Sequence, residues 1–133
     1  MEAIRQPISG PSVLAVDDHE PFRSAMRRLV EAAPGFSLLA EAESGERAVE
    51  AASELHPDLV LMDVEMPGLG GIAAARRIKS ESPSTVVVLV SATHPDDLPR
   101  DAASCSADEI VWKPKLRPAL LEEIWRAHGS TER

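Results

Sequence analysis

The sequence holds a single cysteine, Cys105, among its 133 residues. A lone thiol excludes an internal disulfide framework and fits a reducing compartment. Long apolar runs are missing as well. The longest, Val86 to Val90, falls far short of the roughly 20 residues that a membrane-spanning helix needs. The start, MEAIRQPISG, lacks the apolar core of a signal peptide. Positive charge is scarce. Lys and Arg number 14 against 22 Asp and Glu, a formal net charge of −8, which disfavours nucleic acid and anionic membranes as direct partners. No internal repeat or low-complexity tract is present. These absences leave one soluble, cytoplasmic domain, and 44% hydrophobic residues suffice for its core.

Patterning along the chain alternates between two periods. Residues 1–11, with Pro7, Gly10 and Pro11, read as a loose leader. Ser12 to Val16 reads as a strand that ends in Asp17 and Asp18. From Pro21 the apolar residues Phe22, Ala25, Met26, Leu29 and Val30 recur at helical steps, with Arg23, Arg27 and Arg28 between them. Pro34 and Gly35 stop this helix, and Phe36 to Glu43 suits a second strand. Ser44 is placed to cap a second helix carrying Ala48, Ala52 and Leu55, ended by Pro57. Leu59 to Met62 forms a strand running into Asp63. The turn EMPGLGG leads to a third helix with Ile72, Ala75 and Ile78 on one face. Thr85 to Val90 is β-rich and apolar, the mark of a central strand covered on both faces, and Ser91 closes it. Between Ala92 and Asp108, Pro95 and Pro99 interrupt an alanine-rich stretch, so the fourth helix should be short or irregular. Ile110 to Trp112 makes a fifth strand before Lys113 and Pro114. Leu120, Leu121, Ile124 and Trp125 mark the last helix, and 129–133 form a tail.

Five strands alternating with five helices imply an α/β fold, a doubly wound parallel sheet. The flavodoxin-like (βα)5 order 2-1-3-4-5 achieves this with the fewest elements, and ligands then bind beyond the carboxyl ends of the strands. That rule gathers Asp17, Asp18, Asp63, Ser91 and Lys113 into one crevice within residues 12–128. Two carboxylates about 4 Å apart repel by roughly 4 kcal/mol at an effective dielectric of 20. Three must therefore protonate, pair with Lys113 or share a divalent cation. All-oxygen ligands open to water favour Mg²⁺. Asp63, near the middle of the sheet, is the candidate nucleophile, since a carboxylate can form an acyl phosphate. Phosphoryl transfer mainly needs in-line positioning and charge neutralisation. Mg²⁺ on Asp17, Asp18 and Asp63, the Lys113 ammonium and the Ser91 hydroxyl would supply the latter.

The segments VDDHEPFR, LVLMDVEMPGLGG, VVLVSA and VWKP, in this order, resemble the receiver domain of two-component response regulators over about Ser12 to His128. The resemblance implies that Asp63 is the phosphoacceptor and that Asp17 and Asp18 belong to the metal pocket. It implies that Glu65 lends a backbone carbonyl to Mg²⁺ and that Ser91 senses the phosphoryl group. Lys113 would bind phosphate, with a cis peptide to Pro114. Partners implied are a histidine kinase or histidine phosphotransfer protein and a downstream protein target. The chain is then a signalling domain with self-phosphorylation and autodephosphorylation chemistry rather than an enzyme. Glu65 and Thr93 occupy positions that flank the route of attacking water in the family. The DDH start and MPGLGG turn resemble the subgroup often fused to helix-turn-helix output domains. Five residues follow His128, which leaves a single-domain regulator and a truncated transcriptional one both open, and the departures from the family pattern lean the expectation to the former.

Some positions depart from that pattern. Ile110 stands where the family usually has an aromatic switch residue, and strand alternation is not expected to give Trp112 the same role. SCSADE replaces the usual glycine-containing turn, and Gly70 replaces the usual acid or amide as cap of the third helix. Three other functions compete. A haloacid-dehalogenase-like phosphatase would need a second aspartate where Glu65 stands. A nucleotide or flavin binder would need a first loop rich in glycine or hydroxyls, and this one reads DDHEP. A non-phosphorylated interaction module would have no use for the complete polar set. Plainer roles also compete at single positions. Asp17 and Asp18 would cap a helix, Ser91 likewise, and Lys113 would be a surface lysine. His19 reads as a first-turn polar residue, His56, His94 and His128 as surface, and Cys105 as packing. Trp125 is a candidate homodimer or partner contact.

Overall fold

The computed structural model describes residues 10–129. The expected leader, apart from Gly10 and Pro11, and the expected tail, apart from Gly129, lie outside the described residues. The elements run β1 (Ser12–Val16), α1 (Glu20–Ala32), β2 (Ser37–Ala42), α2 (Gly45–Leu55), β3 (Leu59–Asp63), α3 (Gly70–Glu81), β4 (Val86–Ser91), α4 (Arg100–Ala103), β5 (Glu109–Trp112) and α5 (Pro118–His128). The strands pair in parallel in the order β2-β1-β3-β4-β5, the flavodoxin-like arrangement the sequence implies. No helix among the described residues is long and apolar enough to cross a membrane.

Alternation of side chains divides the core between the two faces of the sheet. Val13, Ala15, Leu59, Leu61, Val86, Val88, Val90 and Val111 pack with Met26 and Val30 of α1 and Leu121 and Ile124 of α5. Leu14, Val16, Val60, Met62, Val87 and Leu89 pack with Ala48 and Ala52 of α2 and Ala74, Ala75 and Ile78 of α3. Cys105 is buried in this second cluster, as a small packing residue should be. Both faces of β3 and β4 are covered, so these strands hold no polar residue before Asp63 and Ser91.

Helix ends follow local chemistry. Pro21 sits in the first turn of α1, where a missing N–H costs nothing. The Ser44 hydroxyl accepts from the Arg47 N–H at 3.1 Å, as expected of the α2 cap. The chain leaves α2 one residue before Pro57, through His56 in the left-handed region at φ 51°. The fourth helix is short, four residues opened by Pro99, after a separate 3₁₀ turn at Pro95–Asp97. Two expectations need correction. Gly70 does not act as the cap of α3; it begins the helix with φ 77°, a conformation that relieves a chain turning in from Gly68 (φ 79°) and that side chains resist. The described residues contain no cis peptide bond, so Lys113–Pro114 is trans. Here Lys113–Lys115 form a 3₁₀ turn in which the Leu116 N–H donates to the Lys113 carbonyl at 3.0 Å, and trans is the lower-energy form of an X–Pro bond.

The amino ends of the strands are tied by two polar staples. Asp58 Oδ2 accepts from the Ser12 N–H at 2.8 Å and from its hydroxyl at 3.2 Å. Lys79 Nζ donates to the carbonyls of Pro83 (2.9 Å) and Thr85 (2.8 Å) and to Asp108 Oδ2 (3.0 Å). That carboxylate oxygen also accepts from the Val87 N–H at 2.8 Å. These bonds fix where β1, β3, β4 and β5 begin, and so where they end.

Candidate functional site at the carboxyl ends of the strands

The sheet register brings the five polar residues to one edge. Val16 of β1 lies opposite Met62 of β3, so Asp17 and Asp63 leave adjacent strands at the same level. Asp63 pairs with Val90, and Ser91 pairs with Trp112, which places Ser91 and Lys113 one step beyond on the next two strands. Carboxylate oxygens of Asp17, Asp18 and Asp63 lie within 4.8 Å of one another. Lys113 Nζ stands 3.0 Å from Asp63 Oδ1 and 3.5 Å from Asp17 Oδ2. Lys113 and Asp18 thus both face Asp63 from loops distant along the chain.

Each member is held differently. Asp17 is buried, and its Oδ1 accepts from the His19 N–H at 2.8 Å. This bond closes a turn and leaves Oδ2 for the cup, but Asp17 is neither exposed nor the cap of α1, where His19 stands. Its carbonyl accepts from Arg23 Nη1 at 2.7 Å, which anchors the start of α1. Asp18 is exposed. Asp63 is 4% exposed, and burial pushes its carboxyl up to about 6. The hydrogen bond and charge of Lys113 pull it down, while Asp17 and Asp18 push it up. Ser91 is buried, and its Oγ accepts from the Thr93 N–H at 2.9 Å, so it closes a turn while keeping its own proton to donate. His19 takes the cap position of α1 and makes no side-chain cap bond among the described residues. His128 is exposed, as expected of a surface residue, and its Nε2 lies 2.7 Å from Glu109 Oε2.

The donor set fits a hard divalent cation. It is all oxygen, carries three formal negative charges against one lysine and is open to water through Asp18. Neighbouring groups support the cup. A Cβ on Gly71 would stand 2.1 Å from the Asp63 carbonyl oxygen, so α3 can approach the end of β3 only through a glycine. Glu65 Oε2 accepts from the Thr93 hydroxyl at 3.3 Å across the mouth. Trp112 shares the sheet face of Ile110, two residues on, contrary to the expectation from alternation. Its indole N–H donates to the Ala92 carbonyl at 3.3 Å, and its ring meets His94 edge-on at 5.2 Å. Ile110 packs into the α2/α3 cluster. Sequence reasoning missed Gly71, whose signal lay in the GLGG run. It also missed the Glu65–Thr93 bond, which no local pattern announces.

Comparison with known proteins agrees with this geometry. Residues 13–125 match the response regulator receiver domain family. Response regulator GacA of Pseudomonas aeruginosa is 40% identical over 115 residues, covering 86% of this chain and 52% of that protein. The nitrate/nitrite response regulator protein NarL of Escherichia coli K12 is 28% identical over 144 residues, covering 92% and 67%. Among solved structures, the signal receiver domain of the putative response regulator NarL from Mycobacterium tuberculosis superposes with a TM-score of 0.81 at 26% identity, covering 91% of this chain and 98% of that one. The chain spans about half the length of the Pseudomonas aeruginosa relative. With that match over most of its length, and with its sheet order and acidic cup, the chain belongs to the response regulator receiver domain family of two-component signalling.

Proposed function

We propose that Asp63 accepts a phosphoryl group from the phosphohistidine of a histidine kinase or histidine phosphotransfer protein. The observation that carries this reading is the Lys113 ammonium, 3.0 Å from Asp63 Oδ1 inside a cluster of three aspartates. Lys113 occupies one oxygen of Asp63. The other makes no hydrogen bond among the described residues and is the nucleophile. It forms a bond to phosphorus as the donor's N–P bond breaks, and the electron pair stays on the leaving imidazole, which takes up a proton. A carboxyl with its pKa at about 6 is mostly ionised at neutral pH and so competent to attack.

Asp17, Asp18, Asp63 and the backbone carbonyl of Glu65 would hold Mg²⁺. When bound, it neutralises charge on phosphoryl oxygens during transfer. Lys113 offsets charge from the other side, and the Ser91 proton reaches a third oxygen. Turning Ser91 toward that oxygen strains its bond from Thr93 and shifts residues 92–94, which Trp112 grips. The displaced surface is then read by a downstream protein target. No steady turnover of phosphate esters is expected, because the phosphoryl group resides on the protein.

Incubation with Mg²⁺ and radiolabelled acetyl phosphate, or with a phosphorylated cognate kinase, tests the reading. A hydroxylamine-sensitive label on the wild-type chain, absent from Asp63→Asn, is expected. A label that persists in Asp63→Asn overturns the assignment.

A further inference from the structure

We propose that Phe22 is a positioning residue for Lys113, holding its ammonium by the face of the aromatic ring. Lys113 Nζ lies 4.0 Å from the centroid of the Phe22 ring, over its face, while it contacts Asp63 at 3.0 Å and Asp17 at 3.5 Å. A cation in that position is attracted by the negative face of the ring. Phe22 is one of two phenylalanines in the chain and occupies the first turn of α1. It packs beside the α1/α5 core, which fixes the plane on which the ammonium rests. The Lys113 side chain is 21% exposed, so water does not fully solvate its charge.

The contact with Phe22 differs from the ion pairs in one respect. When Asp63 forms an acyl phosphate its carboxylate charge is lost, and with it the strongest contact of Lys113. The ring attracts the ammonium equally in both states. It therefore keeps Lys113 beside the acceptor as the partner changes from carboxylate to phosphoryl oxygen. A lysine without the ring has a flexible four-carbon stem and spreads over the acidic mouth. This function of Phe22 rests on the phosphoacceptor reading of Asp63, whereas the hold on Lys113 exists in the resting protein.

The test places 4-fluoro-, 3,5-difluoro- and 3,4,5-trifluorophenylalanine at position 22 of the full chain. Fluorine weakens the negative face stepwise and leaves shape and apolarity nearly constant. The first readout is the ¹³C order parameter of the Lys113 ε-methylene in the unphosphorylated protein. It is expected to fall stepwise with fluorine number and again in Phe22→Leu. The second is the rate of Asp63 phosphorylation by acetyl phosphate with Mg²⁺, at limiting and saturating donor. The saturating rate is expected to fall by about five-fold from Phe to the trifluoro residue, the scale of such a contact at a partly exposed site. In a Lys113→Met background the same series should be flat. An order parameter unchanged across the series overturns the proposal whether or not the chain takes up phosphate. A falling order parameter with a flat phosphorylation rate also overturns it, by confining the contact to packing. A chain that shows the fall but accepts no label at all overturns the phosphoacceptor reading and leaves the hold on Lys113 intact.

Discussion

The two ends of the parallel sheet each pair a lysine with aspartate, and they use the pairing in opposite ways. At the amino ends, Lys79 meets three oxygen acceptors, and Asp108 meets a lysine and a backbone N–H. Charges there match one to one, and Lys79 spends its three ammonium protons on three acceptors. At the carboxyl ends, Lys113 faces three carboxylates, and Asp63 is held well above the ordinary carboxylate range by burial. The satisfied end contributes stability. The unsatisfied end stores a cost that a proton or a cation can relieve. Polar chemistry of similar composition is thus structural where it is balanced and reactive where it is not.

Substitutions at the two ends should separate these roles. The largest effect on folding is expected from Lys79→Met, which leaves Asp108 and two carbonyls short of a donor. A loss of about 3 kcal/mol by chemical denaturation follows from breaking a largely buried pair, with labelling of Asp63 unchanged in the folded fraction. A loss below about 0.5 kcal/mol would show that the amino end is no staple.

Asp63→Asn should act in the opposite sense. The folded-state pKa of Asp63 is raised from 3.8 to about 6. Folding therefore favours its protonated form, so its contribution is fully present below about pH 4 and is lost as pH rises through about 6. At about 1.4 kcal/mol per pH unit, the loss is roughly 3 kcal/mol at most. In metal-free buffer Asp63→Asn should be more stable than wild type at pH 7 by up to about 3 kcal/mol, and the gap should close toward pH 4. Equal stability of the two proteins across that range would contradict the stored cost.

The smallest effect concerns the mouth of the cup. Thr93→Ala removes the hydroxyl that bonds Glu65, and on the proposed reading this should loosen the route of attacking water. The autodephosphorylation rate should change by a few-fold, about the scale of one exposed hydrogen bond, with stability unaffected. An unaltered decay rate in both Thr93→Ala and Glu65→Ala would remove these residues from the account.

Much of this contrast can be read from sequence, and the reasons are physical. β3 and β4 are apolar on both faces until they meet Asp63 and Ser91, so strand ends and polar residues announce each other. The short α4 follows from Pro95 and Pro99, whose rings break a helix regardless of context. Other features depend on approach between distant segments. Lys79 and Asp108 are 29 residues apart, and neither stands out in its own neighbourhood. Phe22 fits the apolar stripe of α1 so well that its ring face toward Lys113 is concealed by its place in the core pattern. Alternation does not separate Trp112 from Ile110, because i and i+2 share a face, and its indole reaches the loop after Ser91.

The claim underneath is that Asp63 sits ionisable but strained within a cup that awaits positive charge. Titration of the Asp63 side-chain carboxyl carbon by NMR, with and without Mg²⁺, measures this directly. The account predicts a midpoint near 6 in metal-free protein and a clear fall when Mg²⁺ is added. A midpoint near 4 that Mg²⁺ does not move would contradict it.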